Sequence, residues 1–214
     1  MKLSCQQKDF KRMLAMIYRV VPKKSNYLPI SQDVLLVTDQ SRLKLSATNL
    51  EIAVTTWIGA MVEEEGAITV PARLLTEFIA SLPSERIDLR VAPTERTLSL
   101  TCARSEAHIH GTDAAEFPPT LSVQDGIAVK IDHQELKTAI LHVAFAAATQ
   151  DSRPVLTGVK LEIEGNKLTL AAADGFRLAV YYMHIEKKVQ ELCIIIPAKT
   201  LKMLGHFLMG QNSP

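Results

Sequence analysis

The sequence predicts an α+β fold built from a repeated helix-plus-strands unit, with helices on one face and antiparallel sheets on the other. Three observations carry this. Apolar residues recur at helical spacing in four short stretches whose first core residues are Phe10, Leu74, Leu136 and Leu201, separated by 64, 62 and 65 residues. Between them run short segments of period two, the spacing of a strand with one face on a core. The second half of the chain also echoes the first. TVPARLL at Thr69 matches IIPAKTL at Ile195, and LKLSATN at Leu43 matches LTLAAAD at Leu168, shifts of 126 and 125 residues. A self-match in both sequence and element order marks a repeat architecture. Two helix-plus-strands units then make one α+β domain.

Taken in order, residues 2–5 form an opening strand. Asp9 is placed to cap a helix running to about Val21, with Phe10, Met13, Leu14, Ile17, Val20 and Val21 on its core face. Pro22 ends it, and residues 22–26 form an exposed basic loop. Residues 34–37 and 42–47 make a hairpin around Asp39-Gln40-Ser41, and 52–57 a further strand. Residues 63–66 (EEEG) read as a solvated acidic turn before a strand at 67–70. Pro71 opens a second helix with Leu74, Leu75, Phe78, Ile79 and Leu82 inward, ended by Pro83. Strands follow at 86–91, 97–102 and 107–110, then a surface connector, DAAEFPP, from Asp113. Residues 120–126 read as a domain boundary.

Past that boundary, 129–131 open another strand, and Leu136, Ile140, Val143, Ala144 and Ala147 mark a third helix. Val159, Leu161 and Ile163 form a strand. KLTLAAADGFRLAV, residues 167–180, then reads as strand, Asp-Gly turn and strand, the second strand beginning at Phe176. A strand at 192–196 precedes a fourth helix opened by Pro197, with Leu201, Leu204 and Leu208 inward. The expected domains are 1–125 and 126–214. The last unit has its helix but no counterpart of the three strands at 86–110, so the second domain is expected to need about 35 to 40 further residues.

Hydrophobic residues make up 47% and charged residues 22%, enough apolar content for a proper core. A net charge of +1 excludes a strong global pull toward nucleic acid or an anionic membrane, so any DNA contact must be local. Cys5, Cys102 and Cys193 are widely spaced and odd in number, which reads as reduced, buried thiols in a cytoplasmic protein. The N-terminus lacks a signal-peptide core, and no run approaches the roughly 20 apolar residues of a membrane span. Phosphate-binding loops, dinucleotide fingerprints, zincin motifs and nucleophile elbows are all missing from the sequence. His108, His110 and Asp113 are the one group from which a metal hydrolase could be imagined. No cofactor is called for.

The cations are more telling by position than by number. Lys8, Lys11, Arg12 and Arg19 lie on the outer face of the first helix, with Lys23 and Lys24 after it. Arg73 opens the second helix and Lys137 lies on the third, with Gln150 and Arg153 at its exit. Lys199 and Lys202 lie on the fourth. Recurrence in all four units favours a shared basic surface suited to phosphates.

On the helix-strand repeat, TVPARLL at Thr69, DAAEFP at Asp113, QDSRPVLTGVKLE at Gln150 and AADGFRLAV at Ala172, the whole chain resembles the bacterial replicative sliding clamps, the beta subunits of DNA polymerase III. The resemblance implies three similar domains per subunit and a homodimeric ring around duplex DNA, with helices lining the hole. This chain would supply domain one and most of domain two, with domain three absent. A further implication is a hydrophobic pocket that takes short peptides from the polymerase catalytic subunit, the clamp loader and other clamp-binding-motif proteins. Matched position by position, its wall is Leu156, Ala173, Gly175, Phe176, Arg177 and Leu178. The DNA-contacting set is Lys23, Lys24, Arg73, Gln150, Arg153, Lys199 and Lys202. Ala173 stands where the family usually has Thr, Phe176 where it often has His, and Pro154-Val155 where an aromatic pair often follows the arginine. The expected function is a non-enzymatic tether that holds by topology. The alternative is an interaction module displaying a peptide groove without encircling DNA.

Overall fold

The computed structural model describes residues 1–23, 28–92, 96–119, 126–150, 153–186 and 190–209. The chain divides into two compact units, Met1–Leu121 and Ser122–Pro214.

In the first unit the strands are β1 (Lys2–Gln6), β2 (Asp33–Asp39), β3 (Arg42–Thr48), β4 (Ala53–Glu64), β5 (Ala67–Pro71), β6 (Arg86–Val91), β7 (Thr97–Cys102) and β8 (Ser105–His110). They form one antiparallel sheet in the order β5-β2-β3-β4-β1-β6-β7-β8. Helices α1 (Gln7–Ile17) and α2 (Ala72–Ser81) pack on each other and on the core. Phe10, Leu14, Ile17, Leu75 and Ile79 from the helices are buried against Leu36, Leu43, Leu45, Ile87, Leu89 and Leu98 from the strands. The strand contributions alternate, which puts the apolar side of every strand on the helices. A backbone bridge between Thr69 and Thr112 ties β5 to the segment after β8.

The second unit repeats half of that plan. Its strands β9 (Gly158–Glu164), β10 (Lys167–Ala173), β11 (Leu178–His184) and β12 (Leu192–Pro197) pair in the order β11-β10-β9-β12, under α3 (His133–Val143) and α4 (Ala198–Met209). The registers superimpose. Leu43 opposes Ile58 as Leu168 opposes Met183, Leu36 opposes Leu45 as Leu161 opposes Leu170, and Asp33 opposes Pro71 as Gly158 opposes Pro197. Phe10, Leu14 and Ile17 of α1 have their counterparts 126 residues on, in Leu136, Ile140 and Val143 of α3.

Several sequence expectations are corrected. Asp9 does not cap α1; the cap position is Gln6, and Asp9 lies in the first turn. The anchor there is the buried Gln7, whose amide donates to the carbonyls of Ile79 and Leu82 at 2.8 and 3.2 Å. Helix α1 stops at Ile17, four residues short of Val21. Pro71 and Pro197 both close a strand and stand just before a helix, rather than inside its first turn. Strand β4 runs on through Glu63 and Glu64, so the acidic turn shrinks to Glu65-Gly66. That length has a cause: the first half of β4 pairs with β3 and the second half with β1. Residues 129–131 form no strand. Their counterpart β1 is held between β4 and β6, and no counterpart of β6 is found among the described residues of the second unit. Leu74 and Leu204 are exposed, and so is Cys193, whereas Cys5 and Cys102 are buried. Burial, with Asp9 and Asp88 adding to it, pushes the Cys5 thiol up to about 12. Lys24 and residues 120–125 of the expected boundary lie outside the described residues.

Asp33 is buried at the start of β2, and desolvation raises its carboxyl above the ordinary value although the polar neighbour Thr69 opposes this. A raised native pKa means the charged form costs stability at neutral pH, and the cost fades as pH falls through that pKa. Asp33→Asn is therefore expected to raise the thermal midpoint of the first unit at pH 7, with the gain shrinking toward pH 4. Melts at several pH values check this.

Candidate peptide-docking and phosphate-contact sites

The candidate site begins at a turn. Between β10 and β11, the Asp174 carboxylate accepts from the backbone N–H groups of Phe176 and Arg177, each at 3.0 Å, and from Arg177 Nε at 2.8 Å. Those backbone bonds, then the Arg177 charge, hold the Asp174 carboxyl below the usual carboxylate range. Gly175 sits at φ 93°, a conformation glycine adopts without steric cost. The first unit makes the same turn at Asn49, whose side chain accepts from Glu51 and Ile52 while Leu50 takes φ 73°. The turn is thus part of the repeated scaffold. What differs is its tip: Glu51 in the first unit, a fully exposed Phe176 in the second.

Two hollows meet at this turn. One, of about 550 Å³, is lined by Gln150, Arg153, Leu156, Gly175, Phe176 and Arg177 among others. The second, of about 290 Å³, is lined by Val155, Leu156, Gly158, Ala173, Leu178 and Ile195 among others. Leu156 belongs to both. All six residues expected in the peptide wall therefore line one hollow or the other, with Gly175, Phe176 and Arg177 on the polar side and Ala173 and Leu178 on the apolar side.

The repeat supplies an internal comparison. On the sheet face away from the helices, Leu156, Gly158, Ala171, Ala173 and Ile195 correspond to Ser31, Asp33, Ser46, Thr48 and Thr69 of the first unit. The first-unit set is polar, buried and hydrogen-bonded: Ser46 to Thr55 at 3.0 Å, Thr48 to the Ile52 carbonyl at 3.0 Å, and Thr69 to the Thr112 carbonyl at 3.0 Å. The second-unit set is apolar and opens on a hollow. At these five positions one backbone carries a sealed polar patch in one unit and an open apolar patch in the other. An open apolar face beside a few fixed polar groups is the chemistry of a ligand site.

Phe145 was not anticipated. It is half-exposed just past α3, and the Arg177 guanidinium lies 5.5 Å from its ring centroid. Arg177 is thus held from two sides, by Asp174 and by Phe145. Gly158 and Ile195 were missed as well. The 125- and 126-residue shifts held the signal, since they pair both with polar positions of the first unit.

Among the expected phosphate contacts, Lys23, Arg73, Gln150, Arg153, Lys199 and Lys202 are all exposed. Gln150 and Arg153 are brought together on the polar hollow, and Lys199 and Lys202 share α4. Arg73 is engaged with Glu77, 2.9 Å away one turn along α2. The metal-hydrolase alternative is not assembled. His108 and His110 hydrogen-bond to Ser99 and Thr97, and Asp113 caps a short 3-10 turn and faces Arg96 at 3.7 Å. Among the described residues no cluster of three or more His, Cys, Asp or Glu is placed to hold a metal, and no helix is long and apolar enough to cross a membrane.

Comparison with known proteins gives the family. Residues 1–122 match the DNA polymerase III beta subunit, N-terminal domain, and residues 130–214 match the central domain of the same subunit. The beta sliding clamp of Synechococcus elongatus is 31% identical over all of this chain, and that of Pseudomonas aeruginosa 32% over 99% of it. The chain spans 57% and 58% of those relatives' lengths. The crystal structure of the P. aeruginosa clamp bound to griselimycin superimposes with a TM-score of 0.90 at 32% identity, covering 97% of this chain and 56% of that one. A DNA polymerase III beta subunit structure from Eubacterium rectale shares the fold, with a TM-score of 0.93 at 24% identity over 99% of this chain and 57% of that one. A polar and an apolar half built on one repeated scaffold, matched along nearly the whole chain to clamp domains, make this chain a member of the DNA polymerase III beta subunit family, the bacterial beta sliding clamps.

Proposed function

We propose that the chain is the N-terminal and central part of a sliding clamp that acts on duplex DNA without catalysis in the cytoplasm. In this reading residues 1–125 are clamp domain one and residues 126–214 belong to domain two. The clamp tethers the replicative polymerase and other partners through the two joined hollows, and the homodimeric ring is a property of the full length of its relatives. The observation that carries the tethering half is the apolar, open face of the second unit, set against the sealed polar face of the first. The DNA half rests on the exposed cations of the helices and their exits. A ring holds by topology, so weak phosphate contacts blind to sequence suffice, and a net charge of +1 fits that economy.

The test is to place these residues in a full-length clamp and change Arg153 and Lys199 to Ala. DNA association is expected to weaken alike on all sequences, with a shallower salt dependence, by about one counterion per cation removed. A changed sequence preference would count against sliding. Salt-insensitive DNA association, with peptide docking intact, would favour the plain interaction module.

A further inference from the structure

The one tryptophan of the chain, Trp57, stands on β4 on the sheet face away from α1 and α2. Strand alternation puts Gly59 and Met61 on the same face, with Ile58 and Ala60 turned to the core. Trp57 is half-exposed and Met61 largely so, about 13 Å along the strand from it at ordinary strand rise. A side chain added at Gly59 would meet nothing within 4 Å, so a notch lies between the two apolar groups.

The indole is held in place. Its Nε1 donates to Asp39 at 2.7 Å, and the same carboxylate oxygen accepts from Arg42 at 3.1 Å. Asp39 is thereby neutralised. Lys44, directly across from Trp57 on β3, has no carboxylate partner among the described residues; its ammonium lies 5.9 Å from the ring centroid, and the Arg42 guanidinium 5.6 Å. The second unit shows what a self-contained pair looks like. There Tyr182, the counterpart of Trp57, has Lys167 directly over it at 4.1 Å. On Trp57 the cations stand further from the ring, at 5.6 and 5.9 Å, although Trp57 is the less exposed of the two, 42% against 61%.

We propose that this face of the first unit docks an acidic protein segment bearing an apolar side chain, the apolar group seated in the Gly59 notch between Trp57 and Met61 and a carboxylate on Lys44. A rigid, pre-placed aromatic beside a cation that has no carboxylate partner is the composition of an interface anchor. Single-stranded nucleic acid fits less well. It needs a run of cations along its phosphates, and here Lys2 is paired with Glu63 while β4 ends in Glu63 and Glu64. The proposal is independent of the hollows of the second unit.

Because Trp57 is the only tryptophan, its emission reads occupancy directly. The probe is the blocked peptide acetyl-Glu-Leu-Glu-Phe-Glu-amide, titrated into the whole chain. A saturable blue shift that weakens with salt is expected. Lys44→Glu should reduce the affinity about tenfold and Lys44→Gln by less, the loss of one favourable charge contact. Gly59→Leu, which fills the notch without a clash, should remove the shift while circular dichroism stays unchanged. No shift, equal binding of the peptide with Lys in place of Glu, indifference to both Lys44 variants, or tighter binding of oligothymidylate would overturn the proposal.

Discussion

Phe10→Ala is expected to lower the stability of the first unit by about 4 kcal/mol, the largest single effect anticipated here. Phe10 is fully buried between α1 and the sheet and is among the largest side chains so enclosed. Truncation removes the transfer free energy of the ring and leaves a cavity that α1, held by the Gln7 bonds to α2, cannot collapse to fill. Denaturant unfolding followed by Trp57 emission isolates the effect, because the only tryptophan lies in that unit. Leu136→Ala at the matching place in α3 should cost less, since Leu136 is only partly buried. Equal costs would mean that Leu136 is enclosed as fully as Phe10.

Leu178→Ala is expected to weaken docking of a clamp-binding peptide nearly a hundredfold. Leu178 is 69% exposed on the apolar hollow, which leaves roughly 100 Å² of side-chain surface for a ligand to cover. At about 25 cal/mol per Å² that is about 2.5 kcal/mol of binding lost on truncation. Glu64→Ala, at the far end of β4 in the other unit, should leave binding unchanged. The measurement is a titration followed by amide chemical shifts, which reaches millimolar affinities. A Leu178→Ala chain that binds as well as the parent would place the docking site elsewhere.

Much of this was readable in the sequence because period and repeat are local signals. Leu43, Leu45 and Ala47 alternate with polar partners, and their echo at Leu168, Leu170 and Ala172 marked both hairpins, although β11 begins at Leu178 rather than Phe176. What escaped depends on partners distant in sequence. The strand at 52–57 and the acidic turn from Glu63 read as separate features, yet β4 runs through both because β1 is there to pair with it. Residues 129–131 have the apolar pattern of a strand and, among the described residues, no ladder to join. Leu74 and Leu204 fit the helical stripe, but each lies at its edge and is left exposed. In the site, the turn was legible from the Asp-Gly signal, and the six wall residues implied by the resemblance line the two hollows beside it. Phe145 was not, because its partner Arg177 lies 32 residues away and nothing local links them. Gly158 and Ile195 were hidden for the opposite reason: each looks like an ordinary strand residue until set beside Asp33 and Thr69.

The edge of β12 that is unpaired among the described residues has a consequence for handling the protein. Among the described residues β12 pairs only with β9, and its sequence, Leu-Cys-Ile-Ile-Ile-Pro, carries no charge. Ile195 is 53% exposed, whereas Thr69 at the matching place in β5 is 0% exposed beneath the Thr112 bridge. An uncharged strand with three consecutive isoleucines and an open edge is a template for intermolecular sheet growth, which Pro197 blocks only at the strand's end. The chain should therefore lose monomer with a lag and a steep dependence on concentration. A lysine at Ile195 would act as a gatekeeper on that edge, prolonging the lag without touching the buried side of the sheet.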